Sequence, residues 1–218
     1  MADATLIISS KNYSSWSLRG FLLAKMSGIA FSEQVVDPTD AAARDELLLR
    51  SSSILVPCLI HQGFSIWDTL AIAEYLNELM PDARMLPDDR LTRARCRSVS
   101  GEMHSGFSAL RSTMPMNIRS HRPRSNVWSS AQTDIDRIQR IWRECLVTWN
   151  GPYLFGDRIS VADAMYAPVV TRFQTYGVDL QGVCAEYSKR ILAWPAMVEW
   201  AAAAQSEVDE VAELEVEF

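Results

Sequence analysis

At 218 residues with a formal net charge of −6, 48% apolar and 22% charged residues, the chain can bury a sizeable core, which excludes wholesale disorder, and it lacks the basic surface that a phosphate-backbone binder needs, which excludes nucleic acid as the main partner. Its length exceeds the usual single-domain size and predicts two domains. Residues 1–10, MADATLIISS, show no basic leader ahead of an apolar stretch, and about 18 uninterrupted apolar residues occur nowhere, so the expectation is a cytoplasmic protein, neither secreted nor spanning a membrane.

Taken in chain order, Thr5 to Ile8 reads as a buried strand and Trp16 to Met26 as a helix with Leu18, Leu22 and Leu23 on one face, ended by Gly28. Phe31 to Val36 reads as a second strand and Asp40 to Leu49 as a second helix. Cys58-Leu59-Ile60 and Phe64-Ser65-Ile66 read as a hairpin turning at Gln62-Gly63, and a helix follows from Asp68 to Met80. The order β-α-β-α-β-β-α predicts a thioredoxin-like α/β domain over residues 1–81. Residues 82–87 lie between Pro81 and Pro87 and predict a linker. Residues 88–218 read as an all-α helical bundle domain, most clearly where Ile135, Ile138, Trp142, Cys145, Leu146 and Trp149 recur at three- and four-residue steps. Met114 to Asn126 reads as a long loop, Ser160 and Asp163 as a capping box, and Pro168 as an interruption inside the helix that the box opens. The closing SEVDEVAELEVEF reads as an acidic solvated tail or final turn with no chemistry of its own.

Cys58, Cys96, Cys145 and Cys184 form neither a Cys-x-x-Cys pair nor a zinc spacing, and His61, His104 and His121 are scattered. Buried reduced thiols and no metal site are the expectation. A disulfide reductase is disfavoured because no cysteine stands at the start of the first helix.

Three places carry chemistry. Asn12-Tyr13-Ser14-Ser15-Trp16-Ser17-Leu18-Arg19 puts hydroxyls at a strand-to-helix junction, where unpaired helix N–H groups stabilise an anion; the plainer reading is a serine cap. Val56-Pro57 precedes a short strand and, with a cis bond, would turn the main chain of Val56 outward to pair with an extended peptide. Asp68-Thr69 opens a helix with an acid and a hydroxyl, suited to one end of an amino acid, the carboxylate on the helix N-terminus and the ammonium on Asp68.

The run SSWSLR opening a helix, ILVP before a strand, IWDTLAIAEYL and then SVADAMYAPVVTRF together resemble the successive hallmarks of the cytosolic glutathione transferase superfamily over nearly the whole chain, with a start similar to bacterial serine-type members and more distantly to the zeta class. The resemblance implies glutathione as co-substrate, Val56 pairing with its cysteinyl backbone beside a cis Pro57, Asp68 and Thr69 holding its γ-glutamyl group, and a homodimer. Ser14 is favoured as the donor to the glutathione sulfur, with Ser15 next to it and Asn12 as a further donor. Matching Arg19 to the zeta motif would place the catalytic position on Asn12, whereas spacing from the helix favours the serines. Many relatives carry a polar side chain just before the Val-Pro pair; this chain has Ile54 and Leu55, which leaves the glycyl carboxylate without an assigned partner. The second substrate, a small hydrophobic electrophile, is expected on a helix presenting Met103, His104, Phe107 and Arg111, two of them suited to an anion. The activity implied is glutathione conjugation or glutathione-dependent isomerisation. The competing reading is a non-catalytic binding or regulatory protein that kept the fold.

Overall fold

The structure is a computed structural model that describes residues 4–37, 55–123 and 129–207. Strand β1 (Ala4–Ile8) is followed by helix α1 (Ser15–Ser27), β2 (Phe31–Val35), β3 (Cys58–His61), β4 (Phe64–Ile66) and α2 (Thr69–Leu79). The four strands form one mixed sheet in the order β2-β1-β3-β4. Strand β1 pairs parallel to β2, Leu6 opposite Glu33, and antiparallel to β3, Leu6 opposite Leu59. Leu6, Ile7 and Ile8 of central β1 are fully buried: Leu6 and Ile8 pack in one core with α1 and α2, and Ile7 in a separate cluster with Cys58, Val36, Val56 and Ile60. The β3–β4 hairpin turns where it was expected: Gln62 and Gly63 both have positive φ, 51° and 81°, the two left-handed residues of the hairpin turn that matches strand twist. The expected helix at Asp40 to Leu49 lies outside the described residues.

A 3₁₀ turn (Pro81–Ala83) leads into α3 (Arg90–Ser105), the short α4 (Ser108–Thr113), a second 3₁₀ turn (Ser129–Ala131), α5 (Gln132–Trp149), α6 (Val161–Tyr176), α7 (Val183–Leu192) and α8 (Pro195–Gln205). This part is helical, and the chain is thus a thioredoxin-like α/β unit followed by a helical one. No helix among the described residues is long and apolar enough to cross a membrane. The stripe on α5 is buried over Ile135, Ile138, Trp142, Cys145 and Leu146, and its last member, Trp149, is partly buried against the core.

Helix α6 is the axis of the molecule, enclosed along almost its whole length and packed against both α1 and α3. A helix buried on every side leaves its N-terminal donors without water, so the capping box must satisfy them internally. Asp163 does so. Its carboxylate, fully buried, accepts from Ser160 N at 2.7 Å, Ser160 Oγ at 2.8 Å, Leu154 N at 3.1 Å and the Tyr187 hydroxyl at 3.1 Å. Burial pushes its carboxyl above the ordinary aspartate value, while these donors pull in the opposite direction.

Helix α1 meets the loop before β3 at Gly20, where a Cβ would stand 2.5 Å from Pro57 Cβ and 2.7 Å from Pro57 Cγ. Only glycine permits that approach. Gly20→Ala is expected to cost about 1–3 kcal/mol through overpacking, and Asp163→Ala about 3–5 kcal/mol by stripping several buried donors of their acceptor; urea unfolding followed by circular dichroism measures both.

Candidate functional site

The site is built where α1 begins. Ser14 is the N-cap residue, half-buried, with an extended backbone; its Oγ accepts from Ser17 N at 3.2 Å and donates to Ser17 Oγ at 2.8 Å. Ser17 Oγ in turn accepts from Ser9 N at 3.0 Å. Capping does not use up the hydroxyl, since rotation about Cβ–Oγ can turn the Ser14 proton outward while its lone pair still accepts from Ser17. Ser15 is buried, and its Oγ accepts from the Arg172 guanidinium at 3.3 Å, which leaves its proton free to donate.

Asn12 has a different occupation. It is fully buried, its Nδ2 donates to Asn117 Oδ1 at 3.0 Å, and its Oδ1 accepts from Arg119 N at 3.0 Å. Both ends of the amide are spent on joining the β1–α1 loop to the loop after α4, so its place is that of a brace between the two parts of the chain.

The Val56–Pro57 bond is cis, and among the described residues neither main-chain group of Val56 has a hydrogen-bond partner. Asp68 caps α2: Oδ1 accepts from Leu70 N at 2.9 Å and Ala71 N at 3.3 Å, while Oδ2 lies 3.0 Å from His104 Nε2. Thr69 is completely buried, and its Oγ1 has no partner among the described residues. An orphaned hydroxyl at a helix N-terminus beside a carboxylate can bind the carboxylate of an amino acid, whose ammonium would meet Asp68.

The four residues expected on one helix are divided. Helix α3 ends at Ser105, Gly106 lies so close to Glu102 O that a Cβ there would stand at 2.7 Å, and Phe107 follows with φ of 63° before α4 starts. The helical spacing of Met103, His104, Phe107 and Arg111 thus crosses a break. Met103 is in the core. Phe107 borders a cleft of about 480 Å³ lined with Glu102, Asp134, Arg137 and Arg140, among others, between α3 and α5. His104 alone turns to the α2 N-terminus, its ring also 5.1 Å from that of Trp16. Arg111 ties the break together, donating to the carbonyls of Met103 and Gly106, and rests its guanidinium 4.8 Å from the Trp16 ring.

Sequence reading missed the company Arg111 keeps. Arg19, buried, donates to Met165 O at 2.8 Å and Ser15 O at 3.3 Å and lies 4.6 Å from the Trp16 ring. Arg172, also buried, donates to Met114 O as well as Ser15 Oγ. None of the three is paired with a carboxylate among the described residues. Burial and mutual repulsion lower the Arg19 guanidinium well below its ordinary value and bring Arg172 down to about 10. Helix amides and uncompensated guanidiniums make the surroundings of Ser15 strongly positive in a chain of net charge −6. The described cysteines supply no nucleophile: all four are buried, and burial pushes Cys96 and Cys145 up to about 12.

Two family models match the chain, the glutathione S-transferase N-terminal domain over residues 13–79 and the glutathione S-transferase C-terminal domain over residues 101–203. The chain belongs to the glutathione S-transferase family. Within it, the chain is 34% identical over 125 residues to the maleylacetoacetate isomerase of Rattus norvegicus, covering 57% of this chain and 56% of that relative. It is 26% identical over 166 residues to a probable maleylacetoacetate isomerase of Caenorhabditis elegans, covering 76% and 77%. The match thus spans little more than half the length of the rat relative. The fold is shared with a Burkholderia glutathione transferase homologue solved with bound glutathione (TM-score 0.72, 24% identity, 94% of this chain and 99% of that one). It is shared also with a bacterial maleyl pyruvate isomerase of the zeta class (TM-score 0.72, 21% identity, 94% and 100%).

Replacing the unpartnered Thr69 hydroxyl by a methyl removes a buried polar group that gains nothing in the free protein. Thr69→Val is therefore expected to leave the melting temperature unchanged or to raise it, by the equivalent of up to about 1 kcal/mol, in a thermal melt without ligand.

Proposed function

We propose that the protein binds glutathione at the α1 and α2 N-termini, holds its thiol as the thiolate at Ser14, and uses that thiolate on a small electrophile. The observation that carries this reading is the juxtaposition of donor sets suited to a tripeptide: Ser14 and Ser15 at one helix start, the free main chain of Val56 beside Pro57, and the orphaned Thr69 hydroxyl with Asp68 at another helix start. A thiol with a pKa near 8.5 is only about 3% ionised at pH 7. Lowering it by about two units requires roughly 2.7 kcal/mol; one hydrogen bond to a charged group contributes about 1.5–3 and a helix N-terminus about 0.3–1. Ser14 and the α1 amides suffice, and no general base or metal is needed.

Of the two uses of the thiolate, the arginines without carboxylate partners among the described residues favour an anionic electrophile and hence glutathione-dependent isomerisation; the rat and nematode relatives are named as maleylacetoacetate isomerases. The chemistry balances without consuming glutathione. The sulfur adds to one carbon of a cis double bond conjugated to a carbonyl, the π pair moves onto the carbonyl oxygen as an enolate, and the former double bond rotates. The enolate then collapses to the trans alkene and expels the thiolate. Positive potential from Arg111, Arg172 and Arg19 stabilises the enolate and the acid groups of such a substrate. Conjugation of a hydrophobic electrophile uses the same first step without the expulsion. A homodimer in the cytoplasm completes this reading, and sedimentation at micromolar concentration checks the dimer.

Calorimetric titration is expected to show glutathione binding, weakened about tenfold in Thr69→Val by loss of one hydrogen bond to a charged group. The ultraviolet absorbance of the bound thiolate against pH is expected to titrate about two units below free glutathione, and Ser14→Ala to move it back by one unit or more. Glutathione that binds with its thiol still titrating near the free value overturns the enzymatic reading in favour of a passive binder. Unchanged ionisation in Ser14→Ala with a loss in Ser15→Ala moves the role to Ser15.

A further inference from the structure

Between the end of β1 and Ser14 the loop forms no strand pairing; its polar groups are met partly within the loop, at Ser10, and partly by Asn117, Arg119, Trp200 and Glu207 of the helical part. The carboxylate of Glu207, two residues past the end of α8, sits in the concave side of this loop: Oε2 accepts from Ser10 Oγ at 2.8 Å and Asn12 N at 3.0 Å, and Oε1 accepts from Lys11 N at 2.5 Å. Successive main-chain N–H groups converging on one anion form a nest, here with a hydroxyl added. Ser10 passes the constraint on. Its Oγ accepts from Asn12 N and Tyr13 N, both at 3.2 Å, and its carbonyl accepts from Ser14 N at 3.0 Å.

Two further contacts fix Glu207 and the loop to each other. Trp200 Nε1 on α8 donates to Lys11 O at 2.8 Å. Arg119 donates to Glu207 O at 2.7 Å and to the Tyr13 hydroxyl at 3.2 Å, its guanidinium 5.9 Å from the Tyr13 ring. The main-chain donor of Lys11 would otherwise face a half-buried seam, where an unmet N–H is costly, and that of Asn12 would keep only Ser10 Oγ.

We infer that Glu207 is a positioning residue of the glutathione-activating site, acting through Ser10 to hold the Ser14 cap in register for the thiol. This rests on the glutathione reading above, and it assigns a function to a segment that its composition alone marks as an inert acidic tail. A hydroxyl lowers a thiol pKa only when it is held in place before the anion forms, because a donor that must be reorganised returns part of its stabilisation. Glu207 touches neither the sulfur nor the γ-glutamyl contacts on α2, so its loss is felt in ionisation and turnover more than in affinity.

Two measurements on the full chain test it, each on wild type, Glu207→Ala, Glu207→Gln and the charge control Glu186→Ala, which removes an exposed ion pair on α7. The first, hydrogen exchange of the amides of residues 11–14 without ligand, is expected to quicken about tenfold or more in Glu207→Ala and less in Glu207→Gln, which keeps one acceptor oxygen. The second, the pH titration of bound glutathione thiolate together with kcat and KM, is expected to show the thiol pKa raised by about half a unit or more and kcat lowered severalfold in Glu207→Ala. KM for glutathione and the behaviour of Glu186→Ala stay near wild type. Unchanged exchange overturns the latch. Quickened exchange with an unchanged thiol pKa overturns its role in positioning. Should Glu207→Ala fail to fold, the comparison of Glu207→Gln with wild type carries the same two outcomes. A wild-type protein that does not ionise glutathione, with exchange still quickened in Glu207→Ala, refutes the parent reading and the positioning role but leaves the contact itself intact.

Discussion

In the proposed glutathione reading the N-terminus of α1 presents hydroxyls and amides to a sulfur anion, and the chain segment that leads into it is held largely by residues distant in sequence. Glu207, Trp200, Asn117 and Arg119 of the helical part grip residues 10–13, while Arg172 of the same part reaches Ser15. Electrostatic stabilisation depends on donors that are already in place, so a loop fastened from outside would serve the proposed thiolate as well as the fold. The helical half thus braces the loop that carries the proposed thiol site.

The charge distribution follows the same division. The chain as a whole is acidic, yet the ground beneath Ser15 and Trp16 holds three guanidiniums that share no carboxylate among the described residues. Burying such groups is costly, and their main-chain carbonyl partners and the Trp16 face offset part of that cost without cancelling the charge. What remains is a positive potential directed at the place where a thiolate and an enolate would form. A net charge of −6 opposes binding to a phosphate backbone, but it has no bearing on the local field of a site a few ångströms wide.

Much of the fold was legible because its signals are short. The stripe on α5, the hairpin at Gln62-Gly63, the caps at Ser14 and Asp68 and the box at Ser160 and Asp163 each depend on residues within a few positions of one another. The same holds for the part of the site that is main chain and helix terminus. The break between Ser105 and Ser108 escaped because three- and four-residue spacing continues smoothly across it, and Gly106 is the local mark that qualifies the pattern.

By itself, then, the amino-acid sequence determined the elements, their order and which helix starts carry hydroxyls and an acid, because local hydrogen bonding and hydrophobic periodicity decide those things. Tertiary structure alone decided what each polar side chain does. Asn12 meets Asn117 across 105 positions, Arg172 meets Ser15 across 157 and Glu207 meets Ser10 across 197. A polar group takes whatever partner the packed chain brings within about 3 Å, and at such separations in sequence no periodicity or motif announces which partner that will be.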